Sequence, residues 1–329
     1  MILAGDIGGT KTVLALISRS ENGQRVVVEE QTFASQDFAT FDEILSLFLG
    51  SKSKPVAACF GIAGPVIEQR CQTTNLPWII DATELKAVLQ TPHVKLLNDL
   101  EAMALGMLHL QADEWVELNP SAKTQHGHCA VIAAGTGLGE AILVQDAERF
   151  RAMATEGGHC SFAPMNTQQD GLLVYLRQHF PAHVSYERIL SGIGFSHVYD
   201  YLLDSGYAPA CPIVPEHSSA GIDRNAVISR LGVEGEDPLC EETVRLWAEI
   251  YGAEAGNLAL KCFASGGVFI GGGIGPKIRP VLESGVFMKA FVHKGRFQTF
   301  LSSLSVRLAL NPKTPLMGAM YYFDDRSLS

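Results

Sequence analysis

Two stretches of this chain, about 130 residues apart, follow one pattern: an apolar strand, a glycine turn, a return strand, a turn and a third strand. In the first stretch, Ile2–Asp6 and Lys11–Ser18 flank Ile7-Gly8-Gly9-Thr10, and the hairpin signal Asn22-Gly23 leads into Arg25–Glu29. In the second, Cys129–Ala134 and Glu140–Gln145 flank Gly135-Thr136-Gly137-Leu138-Gly139, and Arg149–Ala154 follows. Repetition of one supersecondary unit predicts two related α/β domains facing each other across a cleft. The alternative is chance, since any α/β chain can carry two glycine hairpins.

The remaining periodicities fit an α/β chain. Phe41–Leu49 has helical spacing, and Val56–Phe60 is a buried-type strand ending in Gly61-Ile62-Ala63-Gly64-Pro65. Val94–Leu97 runs straight into Asn98-Asp99 and a helix over Leu100–Leu110. Helical patterns are also expected at Ala182–Leu190, Phe195–Leu203 and Glu241–Ala264, the last with Gly252 and Gly256 forming a small face for close packing. Residues 205–223, rich in Pro, Ser and Gly, read as a surface excursion. Val268–Ile270 is a strand entering Gly271-Gly272-Gly273-Ile274-Gly275-Pro276. Thr314 reads as the N-cap of a final helix, with Pro315 at the first helical position and Leu316–Tyr322 the helix. The expected division is a small α/β domain of 1–110 plus 308–329 and a large one of 111–307, consistent with 329 residues at about 100–200 per domain.

Composition narrows the function classes. Lys and Arg number 25 against 35 Asp and Glu, so there is no basic excess to displace counterions from nucleic acid. No run of about 18 uncharged apolar residues occurs to span a membrane; the best candidate, Cys129 to Val144, is broken by glycines and by Glu140. The first residues, Met-Ile-Leu-Ala-Gly-Asp, do not read as a signal peptide, and seven scattered cysteines without a CxxC pair do not read as a disulfide framework. The expectation is a cytoplasmic protein without nucleic-acid or membrane partners.

Three glycine sites carry the first chemical signal. Gly5-Asp6-Ile7-Gly8-Gly9-Thr10-Lys11-Thr12 has Thr10 where a Walker loop needs Gly, and Val13–Ile17 reads as a strand rather than the helix such a loop opens. A β-hairpin presenting glycine amides and the Thr10 hydroxyl to phosphate fits better, with Asp6 placed to hold hydrated Mg²⁺. A tight hairpin needing glycine for its own geometry is the competing reading. Gly135, Thr136 and Gly137 form the matching turn, and Gly272 and Gly273 a strand-to-helix crossing suited to adenosine or simply to close packing. Together the three sites favour a nucleotide cleft.

The second signal is polar. Asn98 with Glu101 makes a capping box, while Asp99 beside it sits where a carboxylate can accept a proton from a substrate hydroxyl. Glu156-Gly157-Gly158-His159 can turn an acceptor and a donor toward vicinal hydroxyls of a sugar; an ordinary solvated turn is the other reading. Glu187 and Asn75 are equally compatible with an exposed helical acid and a turn residue.

These segments, with Thr74-Asn75-Leu76-Pro77-Trp78, Glu187-Arg188-Ile189-Leu190-Ser191-Gly192, Gly266–Ile274 and Lys294-Gly295-Arg296-Phe297, resemble the bacterial glucokinases of the hexokinase-type sugar kinases, in order from residue 5 to residue 297. The resemblance implies a two-domain actin-like, ribonuclease-H-like ATPase fold with a cleft between domains. It also implies phosphorylation of glucose at its 6-hydroxyl by ATP with Mg²⁺, and a homodimer. By the same resemblance Asp99 is the base. Asn75, Asn98, Glu156, His159 and Glu187 hold the sugar, and Gly5, Asp6, Ile7, Gly8, Gly9, Thr10, Gly135, Thr136, Gly137, Gly272 and Gly273 hold ATP. The related repressor/open-reading-frame/kinase family shares the first turn and Glu-Gly-Gly-His but carries zinc-binding cysteines after the His. Here Cys160 stands alone and the next is Cys211, so no zinc is expected. A kinase for another hexose or an N-acetylhexosamine, a non-catalytic sugar sensor and an actin-like filament subunit are the other functions such a chain admits. The sensor's DNA-binding form would need a helix-turn-helix that the sequence does not suggest.

Overall fold

The computed structural model describes residues 1–20, 25–73, 76–123, 125–147, 149–219 and 221–323. The Asn22-Gly23 turn and Asn75 lie outside the described residues. The chain divides into two compact units: Met1–Ala112 with Gln145–Ala154 and Asn311–Ser329, and Asp113–Val144 with Thr155–Leu310.

In the first unit, β1 (Ile2–Ile7) pairs antiparallel with β2 (Lys11–Arg19), which pairs with β3 (Arg25–Ala34). Helix α1 (Phe41–Leu49) starts where Thr40 Oγ1 accepts from Glu43 N at 3.4 Å, and buries Phe41, Ile44, Leu45 and Phe48 at helical spacing. β4 (Ala57–Ile62) lies parallel to β1, and a small sheet of β5 (Val66–Ile67), β6 (Arg70–Gln72) and β7 (Ile79–Asp81) leads into α2 (Ala82–Leu89). β8 (Val94–Asn98) then pairs parallel with β4 and continues directly into α3 (Asp99–Met107). The sheet order is β3-β2-β1-β4-β8. Its register sets Asp6 opposite Gly61 and Ile62 opposite Asn98, so the carboxyl ends of three parallel strands finish together.

The second unit begins with β9 (Trp115–Glu117) and the hairpin β10 (Cys129–Ala134), β11 (Leu138–Asp146); β12 (Arg149–Thr155), all but its last residue in the first unit, comes next in the chain. Four helices follow: α4 (Thr167–His179), α5 (Gly194–Asp204), α6 (Arg224–Glu234) and α7 (Pro238–Lys261). β13 (Gly267–Gly271) is parallel to β10, α8 (Arg279–Glu283), α9 (Val286–Val292) and α10 (Gln298–Ser302) intervene, and β14 (Val306–Ala309) is parallel to β13. The order β12-β11-β10-β13-β14-β9 repeats the first sheet's antiparallel hairpin followed by two parallel neighbours. The duplication expected from sequence is therefore present in the topology. The chain closes with α11 (Thr314–Tyr321), which returns to the first unit and packs on α3.

Helix α7 anchors the second core. Trp247 and Tyr251 are fully buried, and the Tyr251 hydroxyl donates to Ile132 O at 3.2 Å. Gly252 and Gly256 lie against the Phe287 and Phe291 carbonyls of α9, where a Cβ has no room. Among the described residues no helix is long and apolar enough to cross a membrane.

Two local expectations fail. Ala182–Leu190 is not an α-helix: Phe162 N bonds Val184 O and Tyr186 N bonds Cys160 O, so pairing with 160–162 takes the backbone groups a helix would use, and only one 3₁₀ turn (Tyr186–Arg188) forms. Thr314 does not cap α11. It is buried as the first helical residue, and its hydroxyl donates to Asn311 O at 2.6 Å.

Gly252→Ala should lower stability by about 1–3 kcal/mol, the scale of overpacking a filled core. A denaturant titration checks this, and an unchanged midpoint would show that α7 and α9 have room to separate.

Candidate active site

In the first unit the strand ends converge on a short polar platform. The β1–β2 turn is closed by Gly8 N on Lys11 O at 3.0 Å and braced from outside the hairpin by Ser35. Ser35 N bonds Thr10 O at 3.0 Å, its Oγ donates to Gly8 O at 2.8 Å, and it lies 3.0 Å from Thr12 Oγ1. Ser35 was not singled out from sequence; nothing in its spacing marks it. Gly9 and Thr10 lie at the tip, with Thr10 exposed. Gly5 and Ile7 are buried within β1. A Cβ on Gly5 would meet Phe60 Cδ1 at 2.6 Å, so their side-chain positions serve the core that holds the turn.

Asp6 is the charged member of β1. Burial first, and the nearby Asp99 carboxylate second, push its acid up to about 6 against the opposing pull of Lys11. Two carboxylates and a lysine thus share this strand-end region. Asp99 stands in the first turn of α3, its Oδ1 accepting from Leu100 N at 2.9 Å. Asn98 caps the helix through Oδ1 on Leu100 N at 2.9 Å, while Glu101 Oε2 accepts from Asn98 N at 3.0 Å. Asn98 Nδ2 also donates to Gly64 O at 3.0 Å. These bonds fix the strand–helix junction and with it the base of the Asp99 side chain.

The second unit gathers another set. Glu156 precedes a 3₁₀ turn, Gly157–His159, and both Glu156 and His159 are exposed. His159 Nδ1 lies 3.9 Å from Glu187 Oε1, while Glu187 Oε2 accepts from Leu138 N at 3.0 Å. That last bond ties Glu187 to the turn of Gly135, Thr136 and Gly137, where a Cβ on Gly137 would strike the same carboxylate. His159 and Glu187 line a pocket of about 360 Å³ with His183, Ser185 and Arg188. Of the sequence-predicted trio, His159 and Glu187 are therefore brought to one surface, while Glu156 lies three residues before His159 and does not line the pocket.

The nucleotide-type glycines also meet. β10 and β13 run in parallel register with Ala133 opposite Gly271, so Gly135 and the Gly272–Gly273 crossing leave the sheet side by side. Gly272 has φ +83° and packs on the Ala134 carbonyl, which only glycine permits. Gly135 and Gly273 have open space where a Cβ would be, so their surfaces remain accessible to a ligand. One residue read from sequence only as a break in an apolar run, Glu140, is buried directly beneath Gly157.

For Mg²⁺, the hard carboxylate oxygen of Asp6, with the Asp99 carboxylate nearby, is a suitable donor set, and a cation there would compensate a carboxylate that burial otherwise disfavours. The described residues contain one cluster of potential metal ligands, Cys211, Asp237 and Cys240, brought together by folding rather than by sequence spacing. Its members have ordinary work: Asp237 Oδ1 caps α7 through Leu239 N and Cys240 N, both at 2.9 Å, and the two cysteines are buried in the core.

The sequence model of the family described as glucokinase matches residues 3–326. A glucokinase of Nostoc punctiforme is 37% identical over 97% of both chains. The solved glucokinase of an Antarctic psychrotroph is 32% identical, with a TM-score of 0.86 over 98% of each chain. A Streptomyces griseus glucokinase of the repressor/open-reading-frame/kinase family, solved with glucose and AMPPNP, is 21% identical with a TM-score of 0.64 and shares the fold. The two-unit α/β architecture is the actin-like ATPase fold expected from sequence.

With Asp237 engaged as a cap, protein purified without added metal should contain no stoichiometric zinc. Elemental analysis checks this; one zinc per chain would assign the Cys211–Cys240 cluster a ligand role.

Proposed function

Because the chain belongs to the glucokinase family, we propose that it transfers the γ-phosphoryl group of ATP to the 6-hydroxyl of glucose with Asp99 as the general base. The supporting observation is the junction of β8 and α3. A carboxylate at the carboxyl end of a parallel strand, held by a complete capping box, sits where open α/β sheets bind their substrates.

Asp99 accepts the 6-hydroxyl proton as that oxygen bonds to phosphorus. The bond from phosphorus to the bridging oxygen breaks, and ADP carries away the electron pair. Little covalent chemistry falls to the protein, so its contribution is to position the reactants, stabilise charge and exclude water as a rival acceptor. We assign Glu156, His159, Glu187, Asn98 and Asn75 to the sugar hydroxyls. Carboxylates accept from hydroxyls while the imidazole and amides donate or accept, which fits a ring of vicinal alcohols.

The phosphates are assigned to the Gly5, Asp6, Ile7, Gly8, Gly9 and Thr10 segment, with Gly9 and Thr10 at its tip, and to the Gly135, Thr136 and Gly137 turn. Gly272 and Gly273 take the adenosine side. Asp6 would hold Mg²⁺, which supplies charge neutralisation on the phosphates when bound. We also infer a cytoplasmic homodimer, each chain divided into the small and large domains delimited from sequence.

Asp99→Asn keeps the size and most hydrogen bonding of the side chain but cannot take the proton. Turnover should fall by at least roughly 10²-fold, the scale of general-base catalysis, while the KM for glucose changes far less. Loss of a helix-end interaction alone would cost about 1 kcal/mol of stability and leave the rate intact. Turnover and melting measured on one preparation separate the two, and a folded Asp99→Asn enzyme with near-normal kcat would refute the assignment.

A further inference from the structure

Beneath the Glu156–His159 turn lies a buried acid that the reaction does not use. Glu140 is 1% exposed on β11, and a Cβ added to Gly157 would collide with its Oε2. Thr155 ties the two segments together, its hydroxyl donating to Glu140 O at 3.1 Å and accepting from Gly157 N at 3.1 Å. The second carboxyl, Glu254 of α7, is fully buried and within hydrogen-bonding reach of Glu140.

Glu254 connects onward. Its Oε1 meets Lys261 Nζ at 3.2 Å and its Oε2 accepts from Asn257 Nδ2 at 2.8 Å. Asn257 Nδ2 also donates to the Tyr186 hydroxyl at 3.1 Å, and Lys294 Nζ donates to Asn257 Oδ1 at 2.6 Å. The network therefore runs from the turn carrying Glu156 and His159 to the residue preceding Glu187. Lys294, of the Lys294-Gly295-Arg296-Phe297 segment noted in the sequence, closes it. Glu140 Oε1 has no hydrogen-bond partner among the described residues, so an ionised Glu140 would be left poorly compensated.

We propose that Glu140 and Glu254 are a proton-sharing carboxyl pair that positions the Glu156–His159 and Tyr186–Arg188 turns for sugar binding. Two buried carboxylates in contact cannot both ionise cheaply, so one proton stays between them. The proposal rests on the assignment of Glu156, His159 and Glu187 to the sugar. Burial, then the charge of Glu254, lift Glu140 to about 7 against the pull of Lys261. The groups facing the pair are Lys261, Lys294, Tyr186, Tyr251 and Cys262; burial raises the pKa of both tyrosines and of Cys262, so these three stay neutral while the pair titrates.

Because the pair binds its proton more tightly folded than unfolded, its stabilisation is complete below about 4.5 and is lost as pH rises through about 7. Above that, repulsion between the carboxylates pushes Glu140 against Gly157 and displaces the turn. The KM for glucose should rise by about tenfold between roughly pH 6 and pH 8.5, with kcat changing much less. Glu140→Gln, a neutral isostere, should hold the low-pH KM across this range, whereas Glu140→Ala should raise it at every pH.

Infrared difference spectra between the unmodified enzyme and Glu140→Gln read the pair's proton apart from that of Asp6, which burial also lifts to about 6. A buried protonated carboxyl band should be present at about pH 6 and fade by about pH 8. Absence of that band, or a Glu140→Gln enzyme that keeps the wild-type pH dependence of KM, overturns the proposal. Glu156→Ala and Glu187→Ala distinguish the two failures. If both leave the KM for glucose intact, the sugar assignment falls and the pair's role in it falls too. If both raise it while Glu140→Gln behaves as wild type does, only the pair is wrong.

Discussion

Parallel pairing of short buried strands is the constraint on which this structure depends. A parallel neighbour must be reached by a long crossover, so each strand end on one edge of the sheet opens into a separate turn or helix. Here β1, β4 and β8 end level with one another through the registers Asp6–Gly61 and Ile62–Asn98. β10 and β13 do the same through Ala133–Gly271. The side chains proposed for catalysis and the glycines proposed for nucleotide leave the sheets at these edges. The strands themselves are too buried to vary: β4 and β10 are buried at all six positions. The proposed chemistry falls mostly at residues where pairing stops.

Glycine supplies what the strand ends require next, which is backbone contact. Gly272 takes a left-handed φ against the Ala134 carbonyl, and Gly157 lies where any side chain would strike Glu140. The same device serves packing alone at Gly252 and Gly256 on α7. Glycine content by itself therefore does not distinguish a ligand site from a helix contact. The distinction lies in what occupies the space: Gly135 and Gly273 face open room, whereas Gly5 faces Phe60.

Much of this was legible in the sequence where the pattern is local. The hairpins at Gly8-Gly9 and Gly135–Gly139, the helix Phe41–Leu49 and the Asn98–Glu101 capping box follow from turn chemistry and spacing within a few residues. Helices α2, α4 and α6 went unread although Asp81, Asn166 and Asp223 cap them, because α2 is only eight residues long and the apolar stripes of α4 and α6 are weak. Ala182–Leu190 misled in the opposite sense: its helical spacing was overridden by pairing with residues 160–162, a contact no local window contains. The site divides the same way. Asp99, Glu156 and His159 stand in recognisable turns, but the bond from Glu187 to Leu138 N, the brace from Ser35 to Gly8 O and the Glu140–Glu254 contact join positions far apart in the chain. Only folding reveals that Glu140, a break in an apolar run, sits under the proposed sugar turn.

The account's central claim is that Asp99, fixed at the β8–α3 junction, takes the proton of the sugar's reacting hydroxyl. A crystal structure of the enzyme with glucose and a non-hydrolysable ATP analogue tests it most directly. The claim predicts an Asp99 carboxylate oxygen about 2.6–3.2 Å from the glucose 6-hydroxyl, with Glu156, His159 and Glu187 on the remaining ring hydroxyls. A different acid or base at that hydroxyl, with Asp99 turned away from the sugar, would contradict it.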